Sequence, residues 1–596
     1  MNILLTAINA KYIHSNLAVY SLRACAGEYR DAVELAEYTI NNQKDYILEE
    51  LYKRKPDVLC FSCYIWNIDY VTDIAREYKK LCPSVPIWVG GPEVSYEVEA
   101  FLRENPYIDG VMIGEGEDTF RELCGYYAHK RKLIDIAGIA FRKKSADGKA
   151  GEIVFTSPRP IKNMSEIPFC YDTLDDFSNR IIYYESSRGC PFSCSYCLSS
   201  VDKTLRFRDT EIVKRELKFF IDQKVPQIKF VDRTFNCNHA HAMELWRFIK
   251  ANDNGVTNFH FEISADLLNQ EELELISDMR PGLIQLEIGV QSTNEVTIKE
   301  IHRTMKLERL KEVVKLIQSG NNIHEHLDLI AGLPYEDYDS FGRSFDEIYE
   351  LKPNQLQLGF LKVLKGSYMF EHAAEYGIVY HDKPPYEVMS TKWLSFDDVI
   401  KIKRVEEMLE VYYNSGQFEI TMKLMECIFD SAFEFFQELG DFYEANGYFG
   451  MSHSRIRRCE ILLEFLALYL HGCDNDAMTS VVLSENDGDR DNTDFDENAQ
   501  IYSMIQESLI FDLYYRENCK SRPVWATDIG KFKHMTHAYC KNGKLSHVEP
   551  FHYIFPDKHM RKLDELPKYH KEPVWALFHY DMRDPLDHQA LVEYLE

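Results

Sequence analysis

Apolar and polar positions along the first quarter of the chain follow two alternating periods. Short apolar runs at Asn2–Asn9, Val33–Thr39, Asp57–Tyr64, Pro86–Val89 and Ile108–Ile113 read as strands. Between them, Ser15–Tyr29, Asp45–Lys53 and Tyr70–Leu81 place apolar residues at helical spacing, and another helix starts near Asp118. Strand–helix alternation of this kind builds a doubly wound parallel sheet, which binds ligands at the C-terminal ends of its strands. Two of those ends are glycine-rich: Gly90-Gly91-Pro92-Glu93 after the fourth strand and Gly114-Glu115-Gly116-Glu117 after the fifth.

Residues 146–180 read as a connector with a short hairpin and several prolines. Alternation returns near 181, with strands at Ile181–Glu185, Gln227–Asp232, His260–Ile263, Ile284–Ile288, His326–Ile330 and Gln355–Phe360. Helices such as Thr210–Gln223 and Glu308–Gln318 lie between them. Six strand–helix units predict a partial (β/α)6 barrel, open on one side. Beyond about 395 the pattern is mostly helical, at Phe396–Tyr413, Met422–Leu439 and Ser454–Leu470. Residues 484–498 form an acidic low-complexity run read as a solvated loop, and the chain's end is strand-like. The predicted class is α/β, divided into a sheet domain (1–145), a connector (146–180), a barrel (181–395) and a mostly helical domain (396–596).

A chain of 596 residues fits this division, since roughly 150 residues make a domain. The formal net charge of −28 repels phosphate backbones and anionic membranes, which argues against a nucleic-acid partner. No apolar run reaches the length of a membrane span, and the N-terminus has no basic leader region. The 15 cysteines are mostly scattered rather than arranged as a disulfide framework. These features predict a reducing, cytoplasmic compartment and no membrane association.

Three cysteines are not scattered. Cys190, Cys194 and Cys197 stand in Ser-Ser-Arg-Gly-Cys-Pro-Phe-Ser-Cys-Ser-Tyr-Cys, at C-x3-C-x2-C spacing directly after a strand. Three thiolates at that spacing reach three corners of one cubane cluster and leave the fourth iron open. An electron-transfer ferredoxin fills all four corners with cysteine, so an open corner points to a catalytic cluster. The competing reading is structural zinc, which needs a fourth ligand; Cys170 and Cys237 are the candidates, and no second pair lies at matching distance.

With Tyr196 before the third cysteine, the triplet resembles the radical S-adenosylmethionine (SAM) superfamily. The resemblance implies a 4Fe–4S cluster whose open iron chelates SAM and whose electron cleaves it to a 5′-deoxyadenosyl radical. Such chemistry leaves the protein to position and shield. Later segments resemble the branch that includes the coproporphyrinogen dehydrogenases: Phe261-Glu262-Ile263-Ser264-Ala265, Leu286-Glu287-Ile288-Gly289-Val290-Gln291-Ser292 and Asp328-Leu329-Ile330-Ala331-Gly332-Leu333-Pro334. The resemblance assigns Glu262 to the ribose hydroxyls, and Gln291 and Arg303 to the carboxylate end of SAM. Asp232, in the family's second-strand segment, either faces the site or caps the next loop.

The N-terminal sheet lacks a Gly-x-Gly-x-x-Gly after its first strand and lacks a P-loop. Ser62 on strand three, then Gly90-Gly91-Pro92-Glu93, then Gly114-Glu115-Gly116, resembles the cobalamin-binding domain that precedes many radical SAM domains. Ser62, Gly90, Gly91, Glu93, Gly114, Glu115 and Gly116 are its implied cofactor contacts. The Asp-x-His-x-x-Gly motif that supplies a cobalt-ligating histidine elsewhere is absent; His14 occupies that loop without it.

The paired resemblance implies a cobalamin-dependent radical SAM enzyme. Its most common activity is methylation of an unactivated carbon of a small molecule or peptide, with electrons from a flavodoxin or ferredoxin. A ring-forming or rearranging relative, a tRNA methylthiotransferase and a non-enzymatic cobalamin sensor are the alternatives. The methylthiotransferase would need a second cysteine cluster, which Cys25, Cys60, Cys63, Cys82 and Cys124 do not form. The C-terminal domain reads either as a lid over the open barrel side or as a structural cap.

Overall fold

The computed structural model describes residues 1–143, 151–471, 497–540, 545–555, 563 and 565–595. β1 (Ile3–Asn9) is buried along its whole length, because Ile-Leu-Leu-Thr-Ala-Ile offers almost nothing to water on either face. It pairs in parallel with β2 (Val33–Thr39) on one side and β3 (Val58–Ser62) on the other. β4 (Ile87–Gly90) and β5 (Gly110–Met112) extend the sheet in parallel. The helix Ile68–Leu81 covers one face by burying Ile68, Val71, Ile74, Ala75 and Tyr78, a stripe at helical spacing. The order β2-β1-β3-β4-β5 reverses between β1 and β3, and that crevice is where a doubly wound sheet holds a ligand.

Two departures from the expected sheet follow from short elements. β6 (Ile139–Arg142) and β7 (Ile153–Phe155) add antiparallel strands at the far edge, so this sheet extends past the boundary expected at 145. The helix expected over Ser15–Tyr29 spans Leu17–Cys25, and a 3-10 segment, Gly27–Ala32, follows. Asn16 caps that helix by accepting from the Val19 amide.

The barrel is a six-stranded parallel sheet, open between its first and last strands. β8 (Ile182–Tyr184) is the first edge; a short ribbon of β9 (Ser187–Arg188) and β10 (Arg206–Phe207) follows it. β11 (Gln227–Phe230), β12 (Asn258–Ile263), β13 (Ile284–Gln291), β14 (His324–Ala331) and β15 (Gln355–Phe360) then pair in sequence order. An unpaired strand edge is an open template for aggregation. The edge of β15 is closed by one side chain: Asn414 accepts from the Leu356 amide at 2.9 Å and donates to the Leu356 carbonyl at 2.7 Å.

Asn414 belongs to the C-terminal domain, whose described residues are mostly helical up to Arg516 and then add a sheet. The helix expected over Met422–Leu439 is two helices, Glu419–Ile428 and Ala432–Ala445. Asp346 of the barrel sets the break, accepting from Ser431 Oγ at 2.7 Å and from the Phe433 amide at 2.8 Å. The strand-like end forms an antiparallel sheet of β18 (Ser546–Tyr553), β19 (Tyr569–Arg583) and β20 (Ala590–Leu595), after β16 (Val379–Tyr380) and β17 (Val388–Ser390) upstream. The acidic run lies outside the described residues up to 496, and its last two residues open the helix Glu497–Arg516. No described helix is long and apolar enough to cross a membrane.

Candidate active site

The loop 189–205 carries the cysteine triplet and is fastened at its base. β9 and β10 pair across that base. Beneath it Asp232 is fully buried and accepts from the Ser186 amide at 2.9 Å, Ser186 Oγ at 2.6 Å and Ser187 Oγ at 2.7 Å. Burial pushes its carboxyl up to about 7. Asp232 therefore anchors the strand that delivers the loop; it does not face the cavity. His241 backs the same anchor, with Nε2 3.1 Å from Ser186 Oγ, and burial lowers it to about 4. Gly189 is required by geometry: its φ is +93°, and a Cβ there would lie 2.6 Å from the Thr204 carbonyl.

Within the loop, Cys190 and Cys194 are buried and Cys197 is half-buried. Ser200 Oγ ties the loop to itself, donating to the carbonyls of Cys194 at 2.9 Å and Cys197 at 2.6 Å. The backbone of Ser195 bonds outward, from its amide to the Ile301 carbonyl and from the Met369 amide to its carbonyl, both at 2.9 Å. Arg303 brings a guanidinium 3.9 Å from Cys194 Sγ and 3.4 Å from the Tyr196 hydroxyl. Burial pushes the Cys190 thiol up. Two buried polar atoms here, Ser195 Oγ and Arg303 Nε, have no partner among the described residues. Among the described residues no three Cys, His, Asp or Glu side chains close on a single point, as mononuclear zinc would require, and neither Cys170 nor Cys237 completes such a set. The donor set fits a cubane, which takes one thiolate per corner iron.

Gln291 and Glu262 approach this loop from the barrel. The β13–β14 register slips between Gly289 and Gln291, and Gln291 is left at φ +77°. Bulges next to active sites re-aim a side chain, and Arg303 bonds the Gly289 carbonyl at this one. Glu262 accepts from Arg233 Nη1 with both oxygens, at 2.9 and 2.7 Å. A carboxylate offers about four acceptor positions, so ribose hydroxyls still find room on it.

A cavity of about 840 Å³ runs between the N-terminal sheet and the barrel. Ser62, Gly90, Gly91, Gly114, Glu115 and Gly116 line it from the sheet side and Glu262 from the barrel; Leu198 and Ser199 extend the cysteine loop into its wall. One arm passes between the helix Leu17–Cys25, at Ala18, Ser21 and Leu22, and the strands, at Leu5 and Met112. This arm has apolar walls with the small residues Ala18 and Ser21 on one side, a lining that suits the nucleotide tail of a cobalamin. His14 lines the cavity, with Nδ1 2.7 Å from the Tyr183 hydroxyl; burial lowers its pKa, with Lys11 and Lys229 adding to the effect.

Two acids expected at the cofactor are occupied by the protein itself. Glu115 takes Arg206, the Lys162 amide at 3.0 Å and Arg188 at 3.3 Å. Burial opposes its ionisation, and these donors outweigh burial and hold the carboxyl below its usual range. Glu93 is not on the cavity; it accepts from the Tyr386 hydroxyl beyond the barrel, and burial raises its pKa. Gly91 is likewise demanded by its own neighbours, since a Cβ at its φ of +124° would meet the Cys63 carbonyl at 2.3 Å. Among the described residues none beyond Glu262 lines the cavity. The C-terminal domain packs on the outer edge at β15 and on the helix Tyr338–Tyr349.

A polar layer inside the barrel escaped the sequence reading. Lys229 and His260 contact Glu287 at 2.9 and 3.0 Å, and His326 lies 3.1 Å from Asp328. Burial opposes ionisation of Glu287, but His260 and Lys229 outweigh it and hold the carboxyl well below its usual range. The signal was present: His260 and Glu262 in β12, and His324, His326 and Asp328 in β14, fall on alternate positions of strands that are otherwise largely apolar.

Three family models match successive parts of the chain: a B12 binding domain over 3–124, the radical SAM superfamily over 184–348, and a protein family of unknown function, DUF4080, over 374–590. The 2-(S-pantetheinyl)-carbapenam-3-carboxylate methyltransferase of Streptantibioticus cattleyicolor is 27% identical over 314 residues, which is 50% of this chain and 45% of that protein. The cobalamin-dependent radical SAM methyltransferase TokK of Streptomyces tokunonensis is 28% identical over 346 residues, 55% of this chain and 49% of that protein. The chain thus spans about half the length of these curated relatives. The structure of the cobalamin-dependent S-adenosylmethionine radical enzyme OxsB, bound to aqua-cobalamin and S-adenosylmethionine, superposes with a TM-score of 0.53 at 15% identity, covering 86% of this chain and 79% of that one. That likeness is one of fold. A B12-binding sheet, a radical SAM barrel and a third region follow one another here, and the chain belongs to the radical SAM superfamily members with an N-terminal cobalamin-binding domain, extended by a DUF4080 region.

Proposed function

We propose that this protein is a cobalamin-dependent radical SAM methyltransferase acting on an unactivated carbon of a small molecule or peptide. The observation that carries this reading is the single cavity shared by the glycine-rich strand ends of the sheet, the barrel residue Glu262 and the wall formed by Leu198 and Ser199. When bound, the cluster and SAM supply one-electron cleavage and the cobalamin supplies a methyl carrier.

The chain's own residues hold these groups and keep water out. Cys190, Cys194 and Cys197 carry the cluster, and Arg303 stabilises thiolate charge beside Cys194. Tyr196, Glu262, Gln291 and Arg303 orient SAM. Ser62, Gly90, Gly91, Gly114 and Gly116 seat the cobalamin, with Glu93 and Glu115 acting at one remove by fixing the loops beside them. Lys229, Arg233 and Tyr183 face the same cavity and are placed to hold the substrate. The electron donor is a flavodoxin or ferredoxin, and the compartment is the cytoplasm.

The test is anaerobic reconstitution with iron, sulfide, hydroxocobalamin and SAM, followed by reduction. The expected products are 5′-deoxyadenosine and methylcobalamin, both lost in Cys194→Ala. Equal 5′-deoxyadenosine from both proteins would overturn the cluster assignment. 5′-Deoxyadenosine without any methyl transfer to cobalamin would overturn methylation in favour of a ring-forming or rearranging activity.

A further inference from the structure

We infer that the outer face of the cysteine loop is the docking surface for an acidic, flavodoxin-class electron carrier, centred on Tyr368 and rimmed by Lys203, Lys299, Lys306 and Lys362. The inference rests on the radical SAM reading above.

Three segments touch the cysteine loop from outside. Residues 198–206 continue it, 299–306 meet it at the bond from Ser195 to Ile301, and 362–372 meet it at the bond from Met369 to Ser195. The second and third meet each other directly, and the first continues the loop they hold. His302 contacts Tyr368 with ring centroids 4.9 Å apart, and Tyr368 stacks on His372 at 3.7 Å. A Cβ on Gly366 would meet the Tyr96 ring at 2.2 Å, so the third segment packs on the N-terminal domain.

The charge of this surface opposes that of the chain. The whole protein has 68 Lys and Arg against 96 Asp and Glu, whereas these three segments hold seven basic and three acidic residues. Two of the three acids are engaged: Asp202 by Arg206 at 2.8 Å and Glu300 by the Tyr376 hydroxyl at 2.8 Å. Lys203, Lys299, Lys306 and Lys362 are exposed and have no ion pair among the described residues. At the centre, Tyr368 is 38% exposed and Val201 50%, an apolar and aromatic core within a charged rim. An exposed stacked ring pair suits the planar edge of a flavin. Complementary charge steers such encounters and sets their orientation.

The redox step balances without another reactant. One electron leaves the reduced flavin hydroquinone, which becomes the semiquinone, and enters the oxidised cluster; no bond forms or breaks on the protein. Ser195, hydrogen-bonded to the second and third segments, is the neighbour of Cys194, so this face connects directly to the cysteine loop.

The test uses full-length protein, flavodoxin and the variant K203E/K299E/K362E. Affinity is read by flavin fluorescence with oxidised flavodoxin, and 5′-deoxyadenosine is measured with either reduced flavodoxin or dithionite. Charge reversal is expected to weaken flavodoxin binding about tenfold or more at low salt and to slow the flavodoxin-driven reaction equally. The dithionite-driven rate should stay within about twofold, and raised salt should weaken wild-type binding. A milder K203Q/K299Q/K362Q variant should fall between. Unchanged flavodoxin affinity in the charge-reversed protein, with dithionite activity intact, would overturn the docking surface. Absence of 5′-deoxyadenosine from wild type with dithionite would instead overturn the function on which it rests.

Discussion

Arg188 is the residue whose loss should loosen the seam between sheet and barrel. It precedes Gly189-Cys190 and lies 2.7 Å from Glu117, 2.8 Å from Glu185 and 3.3 Å from Glu115. Glu117 opens the helix Glu117–Tyr127 of the cobalamin-binding sheet and is only 5% exposed. Glu115 keeps Arg206 when Arg188 is removed, but Glu117 loses the one cation in contact with it among the described residues. Stripping one partner from a buried pair leaves an uncompensated charge and costs about 3–5 kcal/mol. Arg188 retains 22% side-chain exposure, so Arg188→Met should cost about 3 kcal/mol, at the low end of that range. Urea unfolding monitored by tryptophan fluorescence gives the stability, and protease cutting in 156–180 reports opening of the seam. The reasoning also predicts non-additivity. Glu117→Gln removes the buried charge, so Arg188→Met/Glu117→Gln should be more stable than Arg188→Met alone, with a coupling of about 1–3 kcal/mol. Simple additivity, or an Arg188→Met cost within about 0.5 kcal/mol of zero, would refute the account.

Three further outcomes follow from local geometry. Gly91→Ala forces a Cβ against the Cys63 carbonyl at positive φ and should cost about 1–3 kcal/mol while lowering cobalamin content, read by denaturation and by the corrin absorbance of reconstituted protein. Asn414→Ala strips two hydrogen bonds from the β15 edge; a loss of about 1–3 kcal/mol and faster aggregation by light scattering are expected, and an unchanged protein would show that the edge needs no cap. Asp232 and His241 titrate against each other at one serine. The folded pKa of Asp232 is raised to about 7, so its contribution is present below the ordinary carboxylate pKa and lost as pH rises through 7; that of His241 is lowered to about 4, so its contribution is present above 6.5 and lost as pH falls through 4. Between pH 4 and 6.5 the two slopes oppose. His241→Gln should therefore make stability fall more steeply with rising pH than in wild type, and denaturation midpoints across that window would contradict this if the profiles coincide.

The residues that sequence reading located best are those whose chemistry depends on near neighbours in the chain. The triplet at 190, 194 and 197 is fixed by loop spacing, and the glycine-rich strand ends at 90–91 and 114–116 are fixed by where a parallel sheet opens. Helix Ile68–Leu81 and strand β1 were legible because one carries a buried stripe and the other is apolar throughout. Glu93 and Glu115 show where this reasoning stops. Both sit in loops that resemble a cofactor site, yet their partners Tyr386 and Arg206 lie 293 and 91 residues further on. Nothing local marks such a carboxylate as spoken for. The break between Glu419–Ile428 and Ala432–Ala445 has the same origin, because Asp346 of another domain captures Ser431 and the Phe433 amide and stops what periodicity would continue.

Polar residues in the barrel strands carry the opposite lesson, that an apparent violation is itself a signal. A parallel strand buried on both faces should read as continuous apolar sequence. His260 and Glu262 in β12 break that rule on one face, and β14 breaks it with His324, His326 and Asp328 on one face and the buried Glu325 on the other. A charge on a buried strand persists when a partner compensates it, as Lys229 and His260 do for Glu287, or when a ligand completes the set. His326 Nε2 and Asp328 Oδ1 lie 3.1 Å apart without a well-formed hydrogen bond, so this end of the layer is its least satisfied part. Substituting His326→Leu and Asp328→Asn together removes that demand. If the layer only packs the barrel, the double variant should be at least as stable as wild type and reconstituted protein should cleave SAM unchanged. If it positions substrate, stability should hold, SAM cleavage without substrate should persist, and transfer to substrate should fail; loss of both stability and cleavage would place the layer in the barrel's structural core instead.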